Sequence, residues 1–432
     1  MSHPTPNPAL NPRGTVPLIL VLLLVVVASG FATGVQAQTE SAPVIANVPL
    51  SQSGFIFDSS GNLYATSERG GDLNCGNGVG CGTVFKLSPA SGGGWTKTIL
   101  YRFRGGTDGE SPYSTPVFDK AGNLYGTTAL GGGSANCIMG CGTVFKLSRT
   151  AHGWSEEVIH SFDGTDGSGP FSGLILDDNH HLYGTTSGTT TQTGCSNGVS
   201  CGTVFEISLT SGQFTVLHAF AGGSKGSIPL GPLTLDGAGN LYGVTAEGGN
   251  TGTHCGPLGC GVAFKLTAGT WAETILHTFV GTDGFSLSGG LTFDAGRQNL
   301  YGTSYGGGTH NWGEVFKLSV ASRKLTLAYS FTGNGEVDAG NPNSGVIFDK
   351  AGNLYGTTIG GYNNNCDTEA YCGSVFQLSP STKGWQFKAQ YLIPKTWAPA
   401  PGGIVLDHNG NIFGIADEEH YRFVGEAYEV IP

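Results

Sequence analysis

Charge is scarce in this chain. Only 12% of its 432 residues are Asp, Glu, Lys or Arg, and the balance is negative, at −11. A nucleic-acid binder needs a basic stripe, and none is present, so that class is set aside. The mildly acidic balance favours solubility and names no partner. No helical pattern of useful length follows the N-terminal segment. There is no Gly-x-y period either, although 74 residues are glycine, so collagen is excluded along with charged disordered polymers. Familiar catalytic signatures are read as missing too: no Gly-x-Ser-x-Gly elbow, no His-Glu-x-x-His and no phosphate loop. No acidic pair stands clear of the general pattern as a glycosidase acid and base would.

What is present is repetition. Asp-x-x-Gly-Asn-Leu-Tyr recurs around Leu63-Tyr64, Leu124-Tyr125, Leu182-Tyr183, Leu241-Tyr242, Leu300-Tyr301, Leu354-Tyr355 and, loosely, Ile412-Phe413. The steps are 61, 58, 59, 59, 54 and 58 residues. A period of this size marks one supersecondary unit repeated about an axis. Each unit reads as four short strands. In the second these are 116–119, 123–128, 142–147 and 154–162, all alternating or rich in β-branched and aromatic residues. Short Gly-rich turns join them, so neighbours pair antiparallel. The expected fold is all-β, a seven-bladed β-propeller of four-stranded antiparallel blades. The repeats lie near 54–103, 115–162, 173–220, 232–279, 289–331, 345–393 and 402–432.

The two ends fit this reading. The last repeat has only three strands, and the segment 43–50 supplies a spare one ahead of the first repeat. It is expected to complete the seventh blade and latch the ring, removing two sheet edges. Further upstream, Arg13 precedes an apolar run from Val16 to Ala28, and Val35-Gln36-Ala37 offers small residues for cleavage. Residues 1–37 read as a signal peptide and 38–432 as the propeller. No second apolar stretch follows, so no other anchor is expected, and the mature protein should be a secreted, periplasmic or surface monomer.

Ten cysteines fall as five close pairs: Cys75–Cys81, Cys137–Cys141, Cys195–Cys201, Cys255–Cys260 and Cys366–Cys372. Paired cysteines in an exported chain read as disulfides. Each small ring should add roughly 2 kcal/mol through loop closure. A zinc reading needs more ligands than His254, the one histidine near a pair.

Strand direction groups the loops. The cysteine loops join second to third strands, and so share a face with the blade-to-blade connections. Those connections carry Thr-Asp-Gly at Asp108, Asp166 and Asp283, with Lys225 and Asn334-Gly335-Glu336 at related places. The plain reading is a turn. The functional one is a ring of carboxylates at the channel mouth. The fifth repeat lacks cysteines, and its short loop contains His310 and Trp312, where the indole could stack on a sugar. His160, His218 and His277 share one strand position with Tyr101, Tyr329 and Tyr391, which suggests packing or edge hydrogen bonding. The Asp-x-x-Gly-Asn turns offer too few oxygens for calcium and read as capped turns. No cofactor and no metal are expected.

The string Gly122 to Thr128, Gly131-Gly132, then Cys141 to Leu147, resembles the GloVer tandem-repeat family of exported bacterial proteins. The resemblance covers six repeats closely and the seventh loosely. It implies a secreted or surface protein and brings no catalytic residues with it. More distantly, Asp-x-x-Gly-Asn-Leu-Tyr looks like the blades of NHL-type, gluconolactonase-like and two-component-sensor propellers. The expected function is a binding or scaffold module for glycan or protein at or outside the cell envelope, acting through the disulfide face. The alternative is a propeller enzyme, a metal-dependent lactonase-like hydrolase or a polysaccharide lyase or hydrolase, with its site at the channel mouth. If export follows this reading, N-terminal sequencing of the secreted protein begins at Gln38; a retained leader would show an uncleaved anchor.

Overall fold

The computed structural model describes residues 44–189, 201–333, 338–360, 371–394, 397–399, 402–418 and 424–432. They form seven antiparallel sheets built on one plan and, among the described residues, no α-helix. The second blade is representative. Its strands are Val117–Phe118, Leu124–Thr128, Thr143–Thr150 and Gly153–Ser161, running from the axis outward. The second strand is buried throughout, and the fourth is half-exposed at the rim.

The blade motif is one hydrogen-bonded device. Asp119 Oδ1 accepts the N–H groups of Ala121 and Asn123; Asp119 Oδ2 accepts Asn123 Nδ2 and the Tyr125 hydroxyl. Gly122 takes the left-handed φ of 84° that the turn requires. The third repeat keeps this scheme with His180 at φ 67° in the glycine's place, and His181 Nδ1 lies 3.2 Å from Asp177 Oδ2. The next residue of the motif, Gly126, leaves room for a neighbour: a Cβ there would stand 2.5 Å from the Phe145 ring of the third strand.

Seven apolar clusters hold the blades together, each shared by two consecutive sheets. Between the first and second blades, Tyr64, Val84 and Phe103 meet Leu124, Phe145 and Leu147. The seventh blade meets the first through Val48, Phe413, Ile415 and Ala427 against Phe55, Leu63 and Phe85. Tryptophans at the start of outer strands join these seams. Trp95 packs edge-on against Phe413, with ring centroids 5.6 Å apart, and Trp385 against Tyr301 at 5.8 Å.

The latch is as expected. Val44–Pro49 pairs antiparallel with Val424–Val430 as the outer strand of the last blade. Polar bonds reinforce it. Asp417 Oδ1 accepts Ser51 N–H and Asp417 Oδ2 accepts Gln52 Nε2, both at 3.1 Å, and Gly402 N–H donates to Gln52 O at 2.8 Å.

Two features depart from a simple four-strand blade. The innermost strand is broken in each blade where it is described. Its upper part pairs with the second strand at single bridges such as Glu110↔Leu130, or as a short extra strand, Gly340–Pro342 or Trp397–Pro399. The break is a residue in left-handed backbone: Ser111, Gly169, Ile228, Ser286 and Asn341, with φ between 55° and 59°. Four of the five are not glycine, so the position is held by its surroundings. The third-to-fourth strand pairing also carries a bulge at one register in six blades, for example between Val144 and Phe145. It inserts one residue and re-aims the side chains beyond it.

Val48 is buried in the closing seam, so Val48→Asp should place an unpaired carboxylate among Phe85 and Phe413. A loss of roughly 3 kcal/mol or more is expected, read as a lower urea midpoint than wild type. An unchanged midpoint would mean that the latch does not hold the ring.

Candidate functional site

The second-to-third loops and the blade-to-blade connections share one face, here the upper face. Three disulfides are formed within the described loops: Cys75–Cys81, Cys137–Cys141 and Cys255–Cys260. Cys201 is also disulfide-bonded. Cys195 and Cys366 lie outside the described residues, and of Cys372 only the backbone is described.

These loops reach across the seams. The N–H of the kinked residue in the next blade bonds the carbonyl of the second cysteine: Ser111 to Cys81 at 2.9 Å, Gly169 to Cys141 at 3.0 Å and Ile228 to Cys201 at 2.9 Å. In the fifth blade Trp312 stands where the cysteine would be, and its carbonyl accepts Asn341 N–H at 2.7 Å. Its indole packs into the seam between the fifth and sixth blades, with Gly333 and Gly340 against the ring. His310 is exposed on the same loop.

The connection aspartates are tied to the outer strands, and the bulge aims the partner at each. Asp108 accepts the Tyr101 hydroxyl at 2.5 Å and Arg104 N–H at 2.7 Å. His160 Nε2 lies 2.8 Å from Asp166 Oδ2, and His277 Nε2 lies 2.8 Å from Asp283 Oδ2. After the fifth blade the same part falls to Asp338, fully buried and bonded to the Tyr329 hydroxyl at 2.5 Å. Residues 334–337, which include Asn334-Gly335-Glu336, lie outside the described residues. Thus the Tyr/His position and the Thr-Asp-Gly turns, separate features in the sequence, form pairs in the structure.

Four of these positions are met by one residue of the next blade's outer strand. Phe214 stacks on His160 with centroids 3.7 Å apart, and Phe387 stacks on Tyr329 at 5.0 Å. Where Lys225 replaces the aspartate, Glu273 answers it at 3.2 Å and lies 3.9 Å from His218. Glu156 instead faces the Tyr101–Asp108 pair. Burial, then the charge of Asp108, pushes its carboxyl up to about 8.

Carboxylates also gather near the inner end of the latch. Burial, with Glu68 adding its charge, raises Asp417 to about 7 against the opposing Ser51 N–H bond. Tyr113 is pushed up to about 12 by burial and by the charges of Glu68 and Asp417, and its hydroxyl reaches Gln52 Oε1 at 3.4 Å. Both Asp417 oxygens are engaged in closing the ring. Sequence spacing hid this group, because Ser51, Gln52 and Glu68 come from one end of the chain and Asp417 from the other. Among the described residues, the one trio of His, Cys, Asp or Glu ligand atoms within 4.8 Å of each other is Cys75, Cys81 and Glu110. Two of its members are spent in a disulfide. Two Gly-x-Ser-x-Gly strings occur, at 222–226 and 302–306. Ser224 sits in a 3-10 turn and Ser304 is buried at a strand end, so neither is an elbow.

The apolar display is uneven. Ten large apolar side chains are exposed among the described residues. Six lie on the upper face: Leu73, Ile138, Met139, Leu258, Val280 and Tyr305. Ile138 and Met139 occupy the small ring closed by Cys137–Cys141, with Ile138 fully exposed and Met139 63% exposed.

Glu156 gives a pH test. Its folded value of about 8 exceeds its ordinary 4.5, so the folded state binds the extra proton and stability falls as pH rises through that window. Glu156→Gln should flatten this fall, seen as a smaller drop in Tm from about pH 5 to about pH 8. Parallel curves for wild type and variant would contradict it.

The sequence profile described as the Gloeobacter/Verrucomicrobia repeat matches residues 50–256 and again 251–430. No curated protein matches the chain. Among solved structures, the extracellular domain of a candidate one-component system of B. thetaiotaomicron is 12% identical with a TM-score of 0.53; the match covers 90% of this chain and 40% of that one. A candidate 6-phosphogluconolactonase of Bacteroides fragilis is 13% identical with a TM-score of 0.46, covering 79% of this chain and 84% of that one. A gluconolactonase of Xanthomonas campestris is 13% identical with a TM-score of 0.38, covering 67% and 82%. At 12% identity the likeness to the first of these shows the fold alone. With both profile matches together spanning nearly all of the propeller, the chain belongs to the Gloeobacter/Verrucomicrobia repeat family.

Proposed function

We propose that the chain is an exported, non-catalytic binding or scaffold module that takes a glycan or protein on its upper face. The observation that carries this reading is the apolar display. Six of ten exposed large apolar side chains stand on the face that also carries the disulfide loops. An apolar residue held out on a small covalent ring pays little ordering entropy when a partner covers it. Adjacent exposed apolar side chains such as Ile138 and Met139 are what an interaction surface offers. Binding residues on loops held by a rigid scaffold are the usual arrangement.

Other features support the same reading. Disulfides belong to oxidising compartments, in keeping with the leader at 1–37 and a place outside the cytosol. The connection carboxylates Asp108, Asp166 and Asp283 are occupied by their own strands and loops, which leaves them free to shape the face rather than to react. Trp312 supports the loop in the same way, and His310 stays available to a ligand at its edge.

The test is a glycan and peptide binding screen on the mature protein, repeated with Ile138→Asp/Met139→Asp. Exposed positions tolerate the change, so the fold should persist. The expected result is a ligand held by wild type and weakened roughly tenfold or more by the double variant. A ligand bound equally by both proteins would place recognition elsewhere.

A further inference from the structure

The lower face, formed by the turns between first and second strands, carries a cavity of its own. It has a volume of about 230 Å³ and lies between the turns of the second and third blades. Drug-sized sites run from roughly 300 to 1,000 Å³, so this one suits a smaller molecule. Val117 and Leu176, half-buried on the two facing inner strands, give it an aliphatic floor. Phe118 also lines it, but its ring already packs edge-on against Tyr64 with centroids 5.0 Å apart.

Asp119 and Asp177 stand in the wall, yet neither is available. The oxygens of each are bonded within its own turn. The available charges are Lys120 and Asp178, the next residue of each turn. Lys120 Nζ meets Asp178 Oδ1 at 2.8 Å, and both side chains are largely exposed. Exposed pairs of this kind contribute little to stability, so this one opens readily. Elsewhere the position holds Ser59, Gly237, Ala295, Lys350 or His408, so no other two neighbouring turns oppose a Lys to an Asp there.

A second departure falls on the same cavity. His180 lines it where the turns of five other blades have Gly61, Gly122, Gly239, Gly352 and Gly410. Its φ of 67° is left-handed backbone, which glycine adopts freely and a residue with a Cβ adopts under strain. The turn itself does not require the imidazole, since glycine serves in the others.

We propose that this cavity binds a free α-amino acid with an apolar side chain, its carboxylate on Lys120 and its ammonium on Asp178. The two charged groups of such a zwitterion flank a single carbon, so they fit between a cation and an anion held this close. One surface ion pair is exchanged for two that the ligand partly shields from water. The ligand side chain covers Val117 and Leu176 and so removes apolar surface from water. The imidazole of His180, exposed at the rim, offers a further hydrogen bond. The site stands on the face opposite the disulfide loops and does not depend on what they bind.

The experiment titrates the full mature protein with L-leucine, L-methionine and L-phenylalanine, followed by calorimetry. At least one should bind saturably at a single site. The N-acetyl and amide forms of the tightest binder each lack one charge and should bind roughly tenfold or more weakly. Lys120→Ala and Asp178→Ala lie at exposed positions that tolerate change, and each should produce a loss of the same order. His180→Gly restores the residue of the sibling turns; it should weaken binding while leaving Tm no lower than in wild type. No saturable binding of any of the three amino acids would overturn the assignment. So would an affinity unchanged in both charge variants, or equal binding of the zwitterion and its two single-charge forms.

Discussion

The structure depends on the seam between neighbouring blades. A four-stranded blade has two apolar faces and cannot bury either alone, so each must be covered by the next. In a row of such sheets the first and last faces would stay wet. Bending the row into a ring removes both, provided that the two ends meet with the same packing as the other pairs. The cluster of Val48, Phe413 and Ala427 with Phe55 and Phe85 is that seventh seam. It is built from the two ends of the chain, and a polar clasp from Ser51 and Gln52 to Asp417 fixes its register. The upper face inherits its shape from this closure, since the loops ending at Cys81, Cys141, Cys201 and Trp312 are hydrogen-bonded to the following blade through the kinked inner residue.

Within that frame the outer seam shows how a repeated geometry hosts unlike chemistry. A Tyr or His from one blade meets a connection carboxylate, and a residue from the next blade covers the pair. With Phe214 or Phe387 the cover is a stacked ring, which asks nothing of the charges beneath. The exchange of aspartate for Lys225 is answered by Glu273, so the sum of charge is kept while the signs are traded across the seam. Glu156 has no such balance. It meets Asp108 with a charge of the same sign and holds a proton well above the usual carboxylate range. The same position thus ranges from neutral packing through an ion pair to a carboxyl held protonated by burial and a like charge.

Much of this was legible in the sequence for a physical reason. Asp, Gly, Asn and Tyr of the motif bond one another within seven residues, so local spacing records them and their period counts the blades. The spare N-terminal strand and the cysteine rings are equally local features. The seam contacts are not, because their members belong to different repeats. Nothing in the spacing of Glu273 and Lys225 announces an ion pair. Asp338 was hidden because a longer connection moved it beyond the place that Asp108 and Asp166 occupy. Trp312 read as an aromatic in a gap, whereas alignment with Cys141 through the following Gly-x-Val-Phe would have placed it at the seam. The left-handed kink was invisible because Ser111 and Ile228 are poor markers of positive φ; the Pro that follows them, and follows Asn341, was the available signal.

These contrasts suggest how to read a pseudosymmetric scaffold. A residue that keeps its type through most repeats is explained by folding, since the blade needs it every time. A departure with a compensating partner, such as Lys225 with Glu273, is also explained by folding, because the seam is as satisfied as before. A departure without compensation is different. Glu314 places a carboxylate where siblings place a hydroxyl, and Ser304 beside it is left without a partner. Ile138 and Met139 place apolar side chains where folding gains nothing from them. Such positions weaken or leave unimproved the isolated molecule. On a ring whose seven units share one plan, the units least like the others are therefore where the proposed binding role is tested first.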